Sequence, residues 1–265
     1  MTNDPVDFAT MMALESHGPD TFVGIGPQYP WGGLYGGQIV AQGLRAAGAT
    51  VDPAYRVHSL HAFFIRRGDH EEPIRFEVDR LRNGRSFVTR RVDARQSVGA
   101  ILTLSASFQV DEDAPEVQVS AAPDVAPADA FPSGGWSDQF DRRFVPDAVT
   151  RGRAVAWMRM TKPVGEDPLL HACALAYVSD DLPTDAVVTL HPGIEAMTHD
   201  GVMAASLDHA MWFHRPVRAD GWHVFDFACE GLMSSRGVAL GQVFDDHGVH
   251  VASVAQEVLV RRLKP

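Results

Sequence analysis

The stretch SLDHAMWFHRP, from Ser206 to Pro216, decides the fold because it has a counterpart earlier in the same chain. The segment HSLHAFFIRRG, from His58 to Gly68, carries a similar order of histidine, apolar and basic residues. The two segments align when His61 is placed on His209, and they lie more than half the chain apart. A pattern repeated at this distance indicates that one structural unit is built twice.

Each half places a buried helix at an equivalent point. In the first half, the glycine-rich loop PQYPWGGLYGG precedes a predicted helix at 37–48 that is rich in small and aliphatic residues. In the second half, PLLHACALAYVSD (168–180) is a predicted apolar helix with Pro168 at its start, and we expect Pro183 to close it. Helices with so few charges are typical of a protein core.

Strands follow each helix. IRFEVDRL (74–81) alternates apolar and polar residues and is followed by Asn83-Gly84, a hairpin turn signal. The same alternation places four apolar side chains of ILTLSASFQ on one face, namely Leu102, Leu104, Ala106 and Phe108. The pattern predicts an α+β fold of two tandem antiparallel sheets, each wrapped round a long buried helix.

Composition divides the chain further. We predict an N-terminal repeat at 1–112, a linker at 113–145 and a C-terminal repeat at 146–265, because the middle segment is rich in proline, alanine and acidic residues and lacks periodicity. The 265 residues carry a formal net charge of -11 without a basic tail, which predicts no nucleic-acid partner. The absence of a long apolar stretch and of a signal-peptide pattern predicts no membrane partner and a cytoplasmic location.

Eight stretches in order resemble the acyl-CoA thioesterase II family, whose fold is a double hot-dog. The first half matches at LYGGQIVAQGLRAA, VHSLHAFFIRRGD, PIRFEVDRLRNGRSFVTRRV and LSASFQ, and the second half at LAYVSD, SLDHAMWFHRP, SSRGVALGQVF and GVHVASVAQEVLVR. The resemblance implies hydrolysis of an acyl-CoA thioester by water. It implies no metal and no cofactor, since CoA is part of the substrate.

The resemblance also implies a catalytic set of an aspartate, a hydroxyl residue and a glutamine. The aspartate falls on Asp180, the hydroxyl residue on Ser206, where the family usually has threonine, and the glutamine on Gln256. Asp180 is then the general base, while Ser206 and Gln256 orient the water. Serine keeps the hydroxyl but lacks the methyl group that stiffens threonine.

Three further residues are candidates for substrate binding. Gly36 and Gly37 stand at the start of the first helix, where backbone N–H groups favour negative charge. Arg85 lies in an arginine-rich region, 56–95, that suits the phosphates of CoA. Open sheet edges also lead us to expect a homo-oligomer.

The sequence is also compatible with other functions. Serine at position 206 suits an acyl-CoA-binding protein that has lost turnover. Asp208 and His214 suggest an enoyl-CoA hydratase, although an ideal strand separates them by about 20 Å and turns His209 to the opposite face. A zinc site on His191, Glu195 and His199 has helical spacing, but Pro192-Gly193 disfavours that helix.

Overall fold

A computed structural model describes residues 6–192 and 201–263 and divides the chain into two compact units. Unit 1 consists of Met1–Ala114 together with Pro163–Tyr177, and unit 2 consists of Pro115–Lys162 together with Val178–Pro265. In each unit the strands pair antiparallel, and at least one helix packs on them. The prediction of an α+β fold with antiparallel strands and central helices is therefore confirmed.

Within its described residues, unit 1 contains six strands, which pair in the order β1-β2-β4-β5-β6-β3. Its elements are α1 (Phe8–Met12), β1 (Glu15–Ser16), β2 (Thr21–Gly24), α2 (Gly36–Gly48), β3 (Tyr55–Phe64), β4 (Ile74–Asn83), β5 (Phe87–Gln96) and β6 (Gly99–Val110). Helix α3 (Pro168–Ser179) belongs to this unit as far as Tyr177.

Helix α2 packs on β3 to β6 and buries nearly all of its side chains. The predicted alternation on β4 is confirmed, because Ile74, Phe76 and Val78 are all buried. The hairpin at Asn83-Gly84 is confirmed as well, since the Gly84 amide donates to the Phe87 carbonyl over 2.9 Å. On β6 the four apolar residues expected to share a face are buried together.

Among its described residues, unit 2 contains seven strands, six of which pair in the order β10-β13-β12-β11-β8-β7, while β9 pairs with β13. Its elements are β7 (Phe140–Phe144), β8 (Arg153–Met160), α4 (Leu182–Val188), β9 (Val202–Ser206), β10 (Asp208–Phe213), β11 (His223–Met233), β12 (Arg236–Asp245) and β13 (His250–Arg262). Strand β7 lies in the segment that the sequence assigned to a linker.

The sequence did not predict helix α4. Helix α3 ends at Ser179, before Pro183, but Pro183 then lies in the first turn of α4. Proline is tolerated there because the first N–H groups of a helix have no intrahelical acceptor. Helix α4 packs on β8, β11 and β12 and buries Leu182, Val187 and Val188. Only Asp180 and Asp181 separate the two helices.

The echoed segments form β3 and β10, but their buried faces are out of phase by one residue. Leu60 and Ala62 are buried on β3, whereas His209 and Met211 are buried on β10. Because side chains alternate along a strand, a shift of one residue exchanges the two faces. Aligning His61 with His209 was therefore wrong for the side chains, since His61 is exposed and His209 is buried.

Candidate active site

Asp180 lies in the two-residue junction between α3 and α4. Its side chain belongs to the interior, since the residue is only 5% exposed. A buried carboxylate requires hydrogen-bond donors or a counter-charge, because its transfer from water is otherwise very costly. The donors therefore identify the environment that the fold provides for this residue.

The neighbouring Asp181 anchors the junction. Its carboxylate accepts hydrogen bonds from the Trp136 indole N–H, over 2.6 Å, and from Nη1 of Arg142, over 2.5 Å. Burial raises the pKa of Asp181, and the adjacent Arg142 opposes that rise. Arg142 also reaches Asp185, in α4, over 3.5 Å. These contacts fix the backbone on the C-terminal side of Asp180.

A break in strand pairing positions the other groups. Strand β13 pairs with β10 at Ala255↔Ala210 and with β9 at Val258↔Ser206. Between these two pairs the sequence advances by three residues on β13 and by four residues on the β9–β10 side. One extra residue on one side of a ladder is a β-bulge, which redirects the neighbouring side chains. The Leu207 amide closes the gap by donating to the Glu257 carbonyl over 2.8 Å.

Gln256 lies on β13 opposite this bulge. It is fully buried, on the same face as the core residues Val254 and Val258. Ser206 and His209 would point to opposite faces of a regular strand, yet both contact the side chain of Gln256. The bulge therefore gathers three polar side chains at one point of unit 2.

Asp180, Ser206 and Gln256 form one hydrogen-bonded chain. Oγ of Ser206 donates to Oδ1 of Asp180 over 2.9 Å, and Nε2 of Gln256 donates to Oγ of Ser206 over 2.8 Å. A carboxylate has about four acceptor sites and an amide nitrogen has two N–H bonds, so both kinds of group can bind more than one partner. The arrangement has the groups needed to hold a water molecule beside a carboxylate.

The hydrogen-bonded chain continues to two residues that the sequence did not indicate as part of the site. Oε1 of Gln256 lies 2.5 Å from Nδ1 of His209, and Nε2 of His209 lies 3.0 Å from Oγ of Ser179. Both residues are fully buried. Burial lowers the pKa of His209 to about 4, although the hydrogen bond to Gln256 opposes that change. The ring is therefore neutral near pH 7, with one nitrogen as donor and the other as acceptor.

The remaining candidates lie in unit 1. Gly36 and Gly37 begin α2, and Arg85 is exposed in the turn between β4 and β5. Gly37 has a packing role, because a Cβ atom there would stand 2.2 Å from the Tyr177 carbonyl oxygen.

The hydratase pair does not form. Oδ1 of Asp208 accepts from the Glu257 amide over 2.8 Å, whereas Nε2 of His214 lies 2.9 Å from Oγ of Ser253. Of the proposed zinc ligands, Glu195 and His199 lie outside the described residues. Within residues 6–192 and 201–263, no cluster of three or more His, Cys, Asp or Glu side chains suits a metal ion, and no helix there is long and apolar enough to cross a membrane.

Two family models match this chain. The acyl-CoA thioesterase N-terminal domain matches residues 26–109, and the acyl-CoA thioesterase C-terminal domain matches residues 112–260. The human protein named acyl-coenzyme A thioesterase 8 is 32% identical over 288 aligned positions, which cover 97% of this chain and 89% of the human one. The matches extend over both units.

Solved structures agree with this result. The acyl-CoA thioesterase II TesB2 from Mycobacterium marinum is 36% identical, covers 97% of this chain and 99% of its own, and superposes with a TM-score of 0.84. A protein described as having a hot dog fold, from Alicyclobacillus acidocaldarius, shares the fold with a TM-score of 0.78 at 20% identity, over 97% of this chain and 98% of its own. These similarities confirm the double hot-dog fold expected from the sequence.

Proposed function

The chain belongs to the acyl-CoA thioesterase II family and is a thioester hydrolase, and we propose that a water molecule activated by Asp180 and positioned by Ser206 and Gln256 carries out its reaction. The observation that supports this proposal is the unbroken hydrogen-bonded chain through the three side chains. The substrate class is an acyl-CoA, as the family implies, and the products are a carboxylic acid and free CoA.

Asp180 acts as the general base. The bound water gives a proton to the carboxylate while its oxygen attacks the thioester carbonyl carbon. The tetrahedral intermediate then collapses with cleavage of the carbon–sulfur bond, and the protonated carboxyl returns its proton to the leaving CoA thiolate. No covalent acyl-enzyme is required, and Asp180 is regenerated in each turnover.

Ser206 and Gln256 hold the water in line with the carbonyl. The hydroxyl of Ser206 already donates to Asp180 and accepts from Gln256, so its second lone pair is oriented by both neighbours. The second N–H of the Gln256 amide is available to the water or to the developing oxyanion. Fixing the nucleophile in this way converts a random encounter into an oriented attack.

Hydrolysis of acyl-CoA substrates of graded chain length, followed by release of the CoA thiol, tests this assignment. We expect Asp180→Asn to lower kcat by roughly 10³-fold, because a positioned general base contributes about 10²- to 10⁴-fold. Asp208→Asn is the matched control. The carboxylate of Asp208 accepts a hydrogen bond from the Glu257 backbone amide and takes no part in the proposed chemistry. Equal turnover by Asp180→Asn and the unmodified protein would remove Asp180 from the mechanism.

The same assay addresses the binding-only alternative that serine at position 206 suggested. Tight acyl-CoA binding without thiol release would support that alternative. The substrate-binding roles of Gly36, Gly37 and Arg85 remain predictions, as do the homo-oligomer, the cytoplasmic location and the repeat boundaries.

A further inference from the structure

The hydrogen-bonded chain does not end at the catalytic glutamine. Beyond Gln256 it passes through both ring nitrogens of His209 to the hydroxyl of Ser179. All three of these residues are completely buried, so bulk water does not compete for their hydrogen bonds. The hydrogen bonds beyond Gln256 are thus as firmly arranged as those that lead from Gln256 to Asp180.

Gln256 needs such a partner because its amide can occupy the same space in two orientations. In one orientation Nε2 faces Ser206 and donates to it. In the other, Oε1 faces the oxygen of Ser206, whose proton is already directed at Asp180. Two acceptors would then face each other, and the ordered N–H that the mechanism assigns to the water would be lost.

The charge of Asp180 determines the position of every proton along the hydrogen-bonded chain. An ionised carboxylate only accepts, so Ser206 must donate to it and must accept from the Gln256 amide. Oε1 of Gln256 is then an acceptor that faces Nδ1 of His209, which must carry the ring proton. Nε2 of the neutral ring must in turn accept from another group.

Ser179 can supply that donor. Its Oγ lies 3.0 Å from Nε2 of His209, within hydrogen-bond distance, and a serine hydroxyl can donate to an unprotonated ring nitrogen. Burial lowers the pKa of His209 to about 4, which keeps the ring neutral and leaves Nε2 able to accept near pH 7. Ser179 is also the last residue of α3, immediately before Asp180.

We propose that His209 is a positioning residue for thioester hydrolysis: as the neutral Nδ1–H tautomer selected by Ser179, it holds the Gln256 amide with its nitrogen directed at Ser206. This inference rests on the proposed function, because it takes Gln256 to act on the attacking water. It gives the buried face of β10 a role in the reaction in addition to its packing in the core.

Two amide substitutions at position 209 separate this role from simple packing. The amide nitrogen of asparagine stands two bonds beyond Cβ, as Nδ1 does in histidine, whereas the amide nitrogen of glutamine stands three bonds beyond Cβ, as Nε2 does. We expect His209→Gln to lower kcat roughly 30-fold with KM little changed, because Gln256 loses its buried donor. We expect His209→Asn to recover most of that loss.

A purely structural role predicts the opposite order, because glutamine is closer to histidine in volume and leaves the smaller cavity. His223→Gln is the matched control, since His223 is a buried histidine in the same unit and its Nδ1 lies 2.9 Å from the Gly221 carbonyl oxygen. We expect this variant to keep the turnover of the unmodified protein. Equal losses for both substitutions at position 209, or a larger loss for His209→Asn, would overturn the proposal.

The tautomer provides a second test that needs no variant. The ¹⁵N chemical shifts of the His209 ring distinguish a protonated nitrogen from an unprotonated one in the unmodified protein. We expect a proton on Nδ1 and none on Nε2, and a proton on Nε2 alone would overturn the proposal.

Gln256→Ala, assayed in parallel, separates the two levels of the account. If this variant turns over normally, the proposed function has failed at Gln256. If it is impaired while His209→Gln is not, only the positioning role of His209 has failed.

Discussion

Gln256 and Ser206 are joined by a 2.8 Å hydrogen bond across a break in strand pairing. The bond exists because β9 ends at Ser206 and β10 begins at Asp208, with one extra residue relative to β13. A regular ladder would have kept one continuous strand with alternating faces. The bulge instead turns the Ser206 hydroxyl toward both Gln256 and Asp180.

The first prediction concerns that hydroxyl. Ser206→Ala removes the link between Gln256 and Asp180 and leaves a buried amide N–H without its acceptor, so we expect kcat to fall on the order of 100-fold. Ser206→Thr keeps the hydroxyl and restricts χ1, so we expect turnover equal to or up to about threefold above that of the unmodified protein. Steady-state thiol release measures both. A threonine variant as impaired as the alanine variant would contradict the model.

Local sequence patterns predicted much of this fold. The alternation of Ile74, Phe76 and Val78 and the turn at Asn83-Gly84 depend on neighbouring residues only, and the structure contains both. The resemblance supplied Asp180, Ser206 and Gln256, and the structure places these three in contact. The local patterns succeed where the direction of a side chain follows from regular strand or turn geometry.

The sequence could not predict His209 or the anchor of Asp181. Regular alternation places His209 on the strand face opposite to Ser206. The bulge that brings both side chains to Gln256 depends on the partner strand and leaves no local signal in the sequence. Trp136 and Arg142 belong to the segment assigned to a linker, and their contacts with Asp181 are distant in sequence. Helix α4 does not follow from the sequence pattern, because Pro183 predicts the end of a helix although proline also suits a first turn.

The second prediction concerns the anchor beside Asp180. Arg142→Met leaves the buried carboxylate of Asp181 without its counter-charge, so we expect the free energy of unfolding to fall by about 3–5 kcal/mol. Urea titration followed by tryptophan fluorescence measures this loss. Combining the change with Asp181→Asn removes the unpaired charge, and we expect most of the stability to return.

The loss in Arg142→Met also depends on pH. Burial raises the pKa of Asp181 in the folded protein, so the folded state binds the proton more tightly than the unfolded state does. Stability from this group is therefore fully present below the unfolded pKa, about 3.9, and is lost as pH rises through the folded value. We expect the variant to be more destabilised at pH 8 than at pH 5. A loss that is equal at both values would contradict this explanation.

The third prediction concerns two glycines of helix α2. A Cβ atom at Gly37 would meet the Tyr177 carbonyl oxygen at 2.2 Å and the Tyr35 ring at 2.5 Å, whereas at Gly43 it would lie 3.6 Å from Leu104. We expect Gly37→Ala to lower the free energy of unfolding by about 1–3 kcal/mol, because overpacking forces the neighbours apart. Gly43→Ala should be neutral or stabilising by up to about 1 kcal/mol, since alanine favours a helix interior.

Thermal unfolding of the two variants tests this difference. Similar melting temperatures for Gly37→Ala and Gly43→Ala would show that the close approach to Tyr177 does not require glycine. A loss of turnover in Gly37→Ala with unchanged stability would instead support the substrate-binding role predicted for this residue.

A single turnover in H₂¹⁸O tests most directly whether water held by Asp180, Ser206 and Gln256 attacks the thioester itself. With enzyme in excess over acyl-CoA, the model predicts one ¹⁸O atom in the released carboxylic acid and none in the Asp180 side chain, as read by mass spectrometry of the acid and of the peptide that contains Asp180. An unlabelled acid together with ¹⁸O in Asp180 would show that the carboxylate is the nucleophile, and would contradict the model.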